Sequence, residues 1–210
     1  LNMMDYLIAE ASKRGIYMLF SPIVTYDSQF PEMNDNSNTG YAKLFAKNTL
    51  IHDEKAIKCQ INYMTDILNH INRYTGRCIK DEPNIIYVEI INEPTQFPND
   101  IPGMVKYINR MCKAIKDTGC KKLIYYNLSQ NFDVAPAIQK SMVDGATYAW
   151  YPQALNNGHR FMDNGLHFVD RYEPLVEDGL KGKSRLVYEF DATDTENGYL
   201  LPAKIGRAHV

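Results

Sequence analysis

The stretch Ile85-Ile86-Tyr87-Val88-Glu89-Ile90-Ile91-Asn92-Glu93-Pro94 limits the possible folds of this chain more than any other segment. An almost unbroken apolar run reads as a strand buried on both faces, as in a parallel sheet. Pro94 cannot donate to a ladder, so the strand is expected to stop there. Glu93 then falls at the C-terminal lip of a buried strand. Glu89 has the same strand parity and is expected on the same side of the sheet. A carboxylate buried there needs a partner.

The rest of the chain alternates between two periods. Helices are expected over Met4 to Arg14, Lys55 to Tyr74, Val105 to Lys116, Ala135 to Met142 and Phe168 to Asp178. The first carries Leu7, Ile8 and Ala11 on one face, with Gly15 as its stop. The second carries a stripe of Ile57, Ile61, Met64, Leu68 and Ile71, and the third Val105, Ile108, Met111 and Ile115, ended by Gly119. Strands are expected at Ile16 to Phe20, at the run before Pro94, at Leu123 to Asn127, near Tyr151 and at Ser184 to Asp191. The last, Ser184-Arg185-Leu186-Val187-Tyr188-Glu189-Phe190-Asp191, again ends in carboxylates. Alternating strands and helices predict a parallel sheet with helical cover.

With 45% hydrophobic and 23% charged residues in 210, the composition is that of a globular domain. A net charge of −2 gives no electrostatic case for nucleic acid or an anionic membrane. No apolar run approaches the ~18 residues of a membrane span. The cysteines at 59, 78, 112 and 120 form no Cys-x-x-Cys pair, and the histidines show no metal-ligand spacing. The cysteines are therefore read as packing residues, and neither a metal nor a cofactor is expected.

Several segments carry a family resemblance. Asn92-Glu93-Pro94, at the end of its apolar strand, resembles the Asn-Glu-Pro signature of clan A retaining glycoside hydrolases. The Glu189 strand resembles strand 7 of the same enzymes, in which a Glu is followed by Phe. Gly145-Ala146-Thr147-Tyr148-Ala149-Trp150-Tyr151-Pro152 resembles their strand 6, which commonly reads His-x-Tyr-Pro. Tyr151 matches the Tyr, and Ala149 departs from the His. Upstream, His70 to Ile85 resembles the Asn-x-Tyr-Thr-Gly … Lys-Asp-Asp-Pro-x-Ile segment of family 5 β-mannanases. In this segment Gly76 reads as a helix C-cap and Pro83 as a turn before the strand.

The resemblance implies a (β/α)8 barrel and double-displacement hydrolysis of a β-linked polysaccharide or oligosaccharide, with β-mannan or β-glucan favoured. Glu189 would be the nucleophile and Glu93 the acid/base. Asn92 would bond the sugar 2-hydroxyl, and Tyr151 would bond Glu189. Trp150 would be either a sugar-stacking platform or a packing residue. Glu89 is read as structural, with an Arg from barrel strand 2, outside this sequence, as its expected partner. Asn127, Gln130 and Asn131, together with Tyr26, Asp27 and Gln29, occupy the lip where sugar hydroxyls would lie. The partner would be a carbohydrate, and the full-length protein would be secreted or periplasmic. Two alternatives stay open: an exo-acting β-mannosidase or β-galactosidase of the same clan, and a carbohydrate-binding barrel without catalysis.

If Glu93 ends barrel strand 4 and Glu189 ends strand 7, the strand at Ile16 is strand 3. The expected fold is therefore a partial (β/α)8 barrel, approximately strands 3 to 7, in an internal fragment of a longer protein that is itself inactive. Ile205-Gly206-Arg207-Ala208-His209-Val210 resembles a translated sequencing adaptor, ATC GGA AGA GCA CAC GTC. The expected division is an incomplete catalytic domain over 1–204 and an artefact over 205–210.

Overall fold

The computed structural model describes residues 1–24, 44–150 and 178–190. Helix α1 (Asn2–Lys13) leads into β1 (Met18–Phe20), and α2 (Glu54–Asn69) into β2 (Ile85–Glu89). Then come α3 (Ile101–Asp117), β3 (Leu123–Asn127), α4 (Ala135–Lys140), β4 (Gly145–Trp150) and β5 (Ser184–Phe190). The five strands form one sheet in the order β1-β2-β3-β4-β5, and every neighbouring pair is parallel. A doubly wound sheet reverses its strand order; this one never does. It is five consecutive strands of a (β/α)8 barrel wall, as expected for barrel strands 3 to 7. The expected helix over 168–178, Tyr26, Asp27, Gln29, Tyr151 and the 204/205 boundary lie outside the described residues. No helix among the described residues is long and apolar enough to cross a membrane.

Strand alternation divides the sheet into two faces. Val88, Ile124, Tyr126, Ala146 and Tyr148 are buried and belong, except for Ala146's small methyl, to the large side chains of the helix-side core. Met104, Tyr107, Ile108, Met111, Cys112 and Ile115 of α3 pack there, all fully buried. Each large apolar side chain so buried contributes about 1.5–3 kcal/mol. The Tyr107 hydroxyl donates to Gln60 Oε1 at 2.7 Å, tying α3 to α2 inside that core. The opposite face carries Tyr87, Glu89, Tyr125, Asn127, Thr147 and Tyr188, and there the polar groups collect. Gly145 is fixed by close approach: a Cβ there would lie 2.3 Å from the Ser184 carbonyl and 2.7 Å from the Tyr125 ring. Any larger residue would push β4 away from β5.

Four expectations need correction. The second helix ends at Asn69, not Tyr74, and Ile71 is 60% exposed. Asn72 breaks the helix, because its side-chain oxygen accepts from the Tyr74 and Thr75 amides at 2.9 and 3.3 Å. Such an Asx turn competes with helix continuation. Gly76 therefore caps no helix; at φ +71° it closes the turn, its amide donating to the Asn72 carbonyl. On α1 it is Asp5, Ile8, Ala9 and Ala11 that are buried, whereas Leu7 is 57% exposed. Asp5 goes inward because its carboxylate meets His70 Nε2 at 2.8 Å and the Arg73 amide at 3.3 Å. Lastly, Cys112 and Cys120 are packing residues, but Cys59 is exposed and Cys78 half-buried; all four are free thiols.

Candidate active site

The apolar run does not stay a strand up to Pro94. Regular pairing ends at Glu89. Ile90 and Ile91 continue fully buried, and the Asn92 amide donates to the Ile23 carbonyl at 2.8 Å. The Val24–Asn92 bridge thereby prolongs the β1–β2 contact past the strand. Glu93 follows with φ +41°, in the left-handed region that non-glycine residues enter at a cost of roughly 1–2 kcal/mol. Such strain is concentrated at functional sites. It turns the Glu93 carboxyl out of the sheet and into a cleft.

That cleft has a volume of about 850 Å³ and is lined by Lys47, Glu93, Thr95, Gln96, Ser129, Gln130, Asn131 and Phe132, among others. It is open and mostly polar. Ser129 Oγ lies 3.4 Å from Glu93 Oε1, and Ser129 itself has φ +54°. Gln96 holds the floor by donating to the Asn127 carbonyl at 2.8 Å. Of the expected lip residues, Gln130 and Asn131 line this cleft. Lys47, Gln96, Ser129 and Phe132 were not singled out from the sequence, since nothing in a loop's composition marks its contacts.

Beneath the cleft mouth lies a sealed polar cluster. Glu89, 0% exposed, has Oε1 2.6 Å from Ser21 Oγ and 2.9 Å from the Tyr188 hydroxyl. Its Oε2 accepts from Thr147 Oγ1 and, at 3.4 Å, from Asn127 Nδ2. The expected Arg partner is not among these described contacts, which include no cation. Burial pushes the Glu89 carboxyl above the usual carboxylate range, against the opposing pull of its hydrogen bonds from Ser21, Thr147, Tyr188 and Asn127. Burial also pushes the Tyr188 phenol far up, helped by the charges of Glu89 and Glu189. Tyr188 is thus a fixed proton donor at any working pH.

The cluster reaches the expected sugar-binding residues. Asn92 Oδ1 lies 2.6 Å from the Tyr188 hydroxyl and 3.5 Å from Asn127 Nδ2. Asn127 is fully buried; Nδ2 donates to Tyr188 at 2.7 Å, and Oδ1 accepts from the Ser129 amide at 2.6 Å. Its amide is thus committed inside the protein. Asn92 is only half-buried. Glu189, also half-buried, follows Tyr188 on β5 opposite Ala149. The β4–β5 register shifts between Tyr148 and Ala149, so Tyr188 is the extra residue of a bulge there. Such a bulge re-aims the side chains next to it. Trp150 ends β4 beside Phe190. No group of three or more potential metal ligands occurs among the described residues.

No protein-family model matches the chain. Among curated proteins it is similar to a putative mannan endo-1,4-beta-mannosidase 9 of Oryza sativa subsp. japonica, with 24% identity over 96% of this chain and 54% of that protein. It is 26% identical to mannan endo-1,4-beta-mannosidase 3 of Arabidopsis thaliana, over 87% of this chain and 45% of the relative. The chain thus spans about half the length of these relatives. Among solved structures, the hyperthermostable endo-1,4-beta-D-mannanase of Thermotoga petrophila RKU-1 superposes with a TM-score of 0.72 at 18% identity, over 99% of this chain and 65% of that one. A glycoside hydrolase family 5 mannosidase of Rhizomucor miehei gives 0.67 at 16% identity, over 89% and 50%. The chain therefore has the fold of the family 5 glycoside hydrolases, and its sequence relatives are of the endo-mannanase type.

Proposed function

We propose that this chain carries the catalytic wall of a retaining endo-β-mannanase, with Glu93 as acid/base and Glu189 as nucleophile. The observation that carries the reading is Glu93 itself: a carboxylate at the C-terminal end of a barrel strand, in a left-handed backbone conformation, lining an open polar cleft. Active sites of this fold lie at that end of the barrel. The sequence relatives support mannan as the polymer.

In the first step a Glu189 oxygen attacks the anomeric carbon. The glycosidic C–O bond breaks, and the leaving oxygen takes the proton of Glu93. The product is a glycosyl ester on Glu189. In the second step Glu93, now a carboxylate, takes a proton from water. The water oxygen replaces Glu189 at the anomeric carbon, and both side chains return to their starting states. Retention requires the two carboxyl groups to lie about 5–5.5 Å apart. Asn92 would meet the 2-hydroxyl, and Asn127 would hold the network behind it without touching sugar. Tyr151, which follows β4, would bond Glu189, and Trp150 would stack on a pyranose.

The test is chemical rescue of Glu189→Gly in the enzyme that contains this chain. Hydrolysis of mannan or an activated mannoside should vanish, and added azide should restore turnover and yield a mannosyl azide. A Glu189→Gly variant that still hydrolyses mannan, or parent enzyme that binds mannan without cleaving it, would end this reading. The second outcome would leave a carbohydrate-binding barrel.

A further inference from the structure

Three heavy atoms surround the Tyr188 hydroxyl: Asn127 Nδ2 at 2.7 Å, Asn92 Oδ1 at 2.6 Å and Glu89 Oε1 at 2.9 Å. The Asn127 amide donates. That leaves a phenol with a single proton between two oxygen atoms, each of which would accept it. We propose that Tyr188 is a positioning residue whose one proton goes to Asn92 Oδ1 and so fixes which end of the Asn92 amide faces a bound sugar. The inference rests on the reading of Asn92 as the ligand of a sugar hydroxyl.

The remaining contact dictates the state of Glu89. With the Tyr188 proton on Asn92, the Tyr188 and Glu89 oxygens can approach to 2.9 Å only if Glu89 carries a proton and donates it. The phenol oxygen then accepts from both Asn127 and Glu89, while Glu89 still accepts from Ser21 and Thr147. In this arrangement each of the four hydroxyl protons, on Ser21, Thr147, Tyr188 and Glu89, has an acceptor. The groups facing Glu89 from each packed element agree with a neutral acid. Ser21 comes from the end of β1, Asn127 from β3, Thr147 from β4 and Tyr188 from β5, and all are uncharged. The neighbouring Tyr87 phenol is raised to about 12, chiefly by burial, so it stays neutral too. From β5 the Glu189 charge acts on the Tyr188 phenol and helps to keep it protonated.

Two arrangements follow. With Glu89 neutral, Asn92 receives the phenol proton on Oδ1 and turns its NH2 away from the cluster, a donor for a sugar hydroxyl oxygen. With Glu89 ionised, the phenol proton moves to the carboxylate. Asn92 must then turn its NH2 inward to Tyr188 and present a carbonyl instead. Substrate affinity should therefore fall as pH rises through the Glu89 titration, while the chemical step, carried by other groups, is less affected.

The experiment uses the enzyme that contains this chain, with Tyr188→Phe and Glu89→Gln. Carboxyl-carbon NMR of the parent should show Glu89 in the protonated position at neutral pH. The Asn92 side-chain amide signals should move together with the Glu89 titration in the parent, and that coupling should be absent in Tyr188→Phe. With mannan oligosaccharides, Tyr188→Phe should raise KM about 10-fold and change kcat less than 3-fold. Glu89→Gln supplies a permanent donor to Tyr188, so it should keep the parent KM and remove the alkaline rise in KM. A Glu89 signal in the ionised position at neutral pH, the result a cation supplied from elsewhere in the protein would give, overturns the proposal. So do Asn92 signals that behave alike in parent and Tyr188→Phe. Both NMR readouts are independent of turnover, so an enzyme that leaves mannan uncut refutes the functional reading while the proton assignment is still decided.

Discussion

Glu89 and Glu93 lie four residues apart in the chain and share strand parity, yet they occupy opposite environments. Glu89 sits in the regular part of β2, fully buried, with a hydroxyl or amide at each of its approaches. Glu93 sits past the last paired residue, half-buried, in a left-handed backbone conformation, with the Ser129 hydroxyl at a long 3.4 Å and an open cleft before it. The first carboxyl is held by everything around it; the second is left room for a ligand. Position along a strand separates the buried carboxylate from the cleft-lining one, because pairing ends between them.

The sharpest break of this comparison is Glu93→Gln. Removing an acid/base group should cost about 10²- to 10⁴-fold in kcat. Because Glu93 is half-buried and in a strained backbone conformation, the melting temperature should be unchanged or slightly raised. Loss of folding together with activity would mean that Glu93 belongs to the structure as Glu89 does. The converse is Glu89→Ala. It leaves the buried Thr147 hydroxyl and Asn127 amide, and the half-buried Ser21 hydroxyl, with a missing partner, at about 1–3 kcal/mol for each buried group that finds no substitute. Chemical denaturation should show that loss. A fully stable Glu89→Ala variant would show that the cluster is not what holds β1, β3, β4 and β5 together at this level.

A smaller effect tests the state of Glu89. Its carboxyl is raised in the folded protein, so the folded state binds more protons than the unfolded chain between the two values. Stability should then fall as pH rises from the ordinary carboxylate range through the folded value, and level off beyond it. Glu89→Gln should flatten that slope in a pH series of denaturation midpoints. The least perturbing change is Ser129→Ala. It removes only the long contact to Glu93 and should alter kcat less than 5-fold with no effect on stability; a loss on the scale of Glu93→Gln would place Ser129 in the chemistry.

What could be read from the chain divides along similar lines. Apolar period and stop signals located every described strand and long helix, because burial imposes them directly on the sequence. Leu123 to Asn127 matches to the residue, and Gly15 and Gly119 end their helices in left-handed conformations. Glu93 was singled out because a hydrophobic run pointed at it. The second helix was drawn five residues too long, because Asn72 acts through a side-chain turn that apolar spacing does not record. The Glu89 cluster was missed in its composition. Ser21, Thr147 and Tyr188 are ordinary strand residues, and only the sheet's stacking order brings their hydroxyls to one point. The departure at Ala149 now has a context as well: it pairs with Glu189 beside the bulge that pushes Tyr188 inward.

The strand order has a consequence in time. Each strand pairs with those just before and after it, so the sheet can grow one strand at a time as the ribosome releases the chain. Glu89 does not fit that schedule. Ser21 precedes it by 68 residues, but Thr147 arrives 58 residues later and Tyr188 99 residues later. Until then β2 must carry a carboxyl toward the interior with two of its four hydrogen-bond partners still to come. Taking up a proton lets β2 desolvate before those partners exist. Assembly of this wall should accordingly be slower in alkaline than in mildly acidic solution. Glu89→Gln should refold at one rate across that range in stopped-flow measurements, which would make a single buried proton the timekeeper of the nascent barrel.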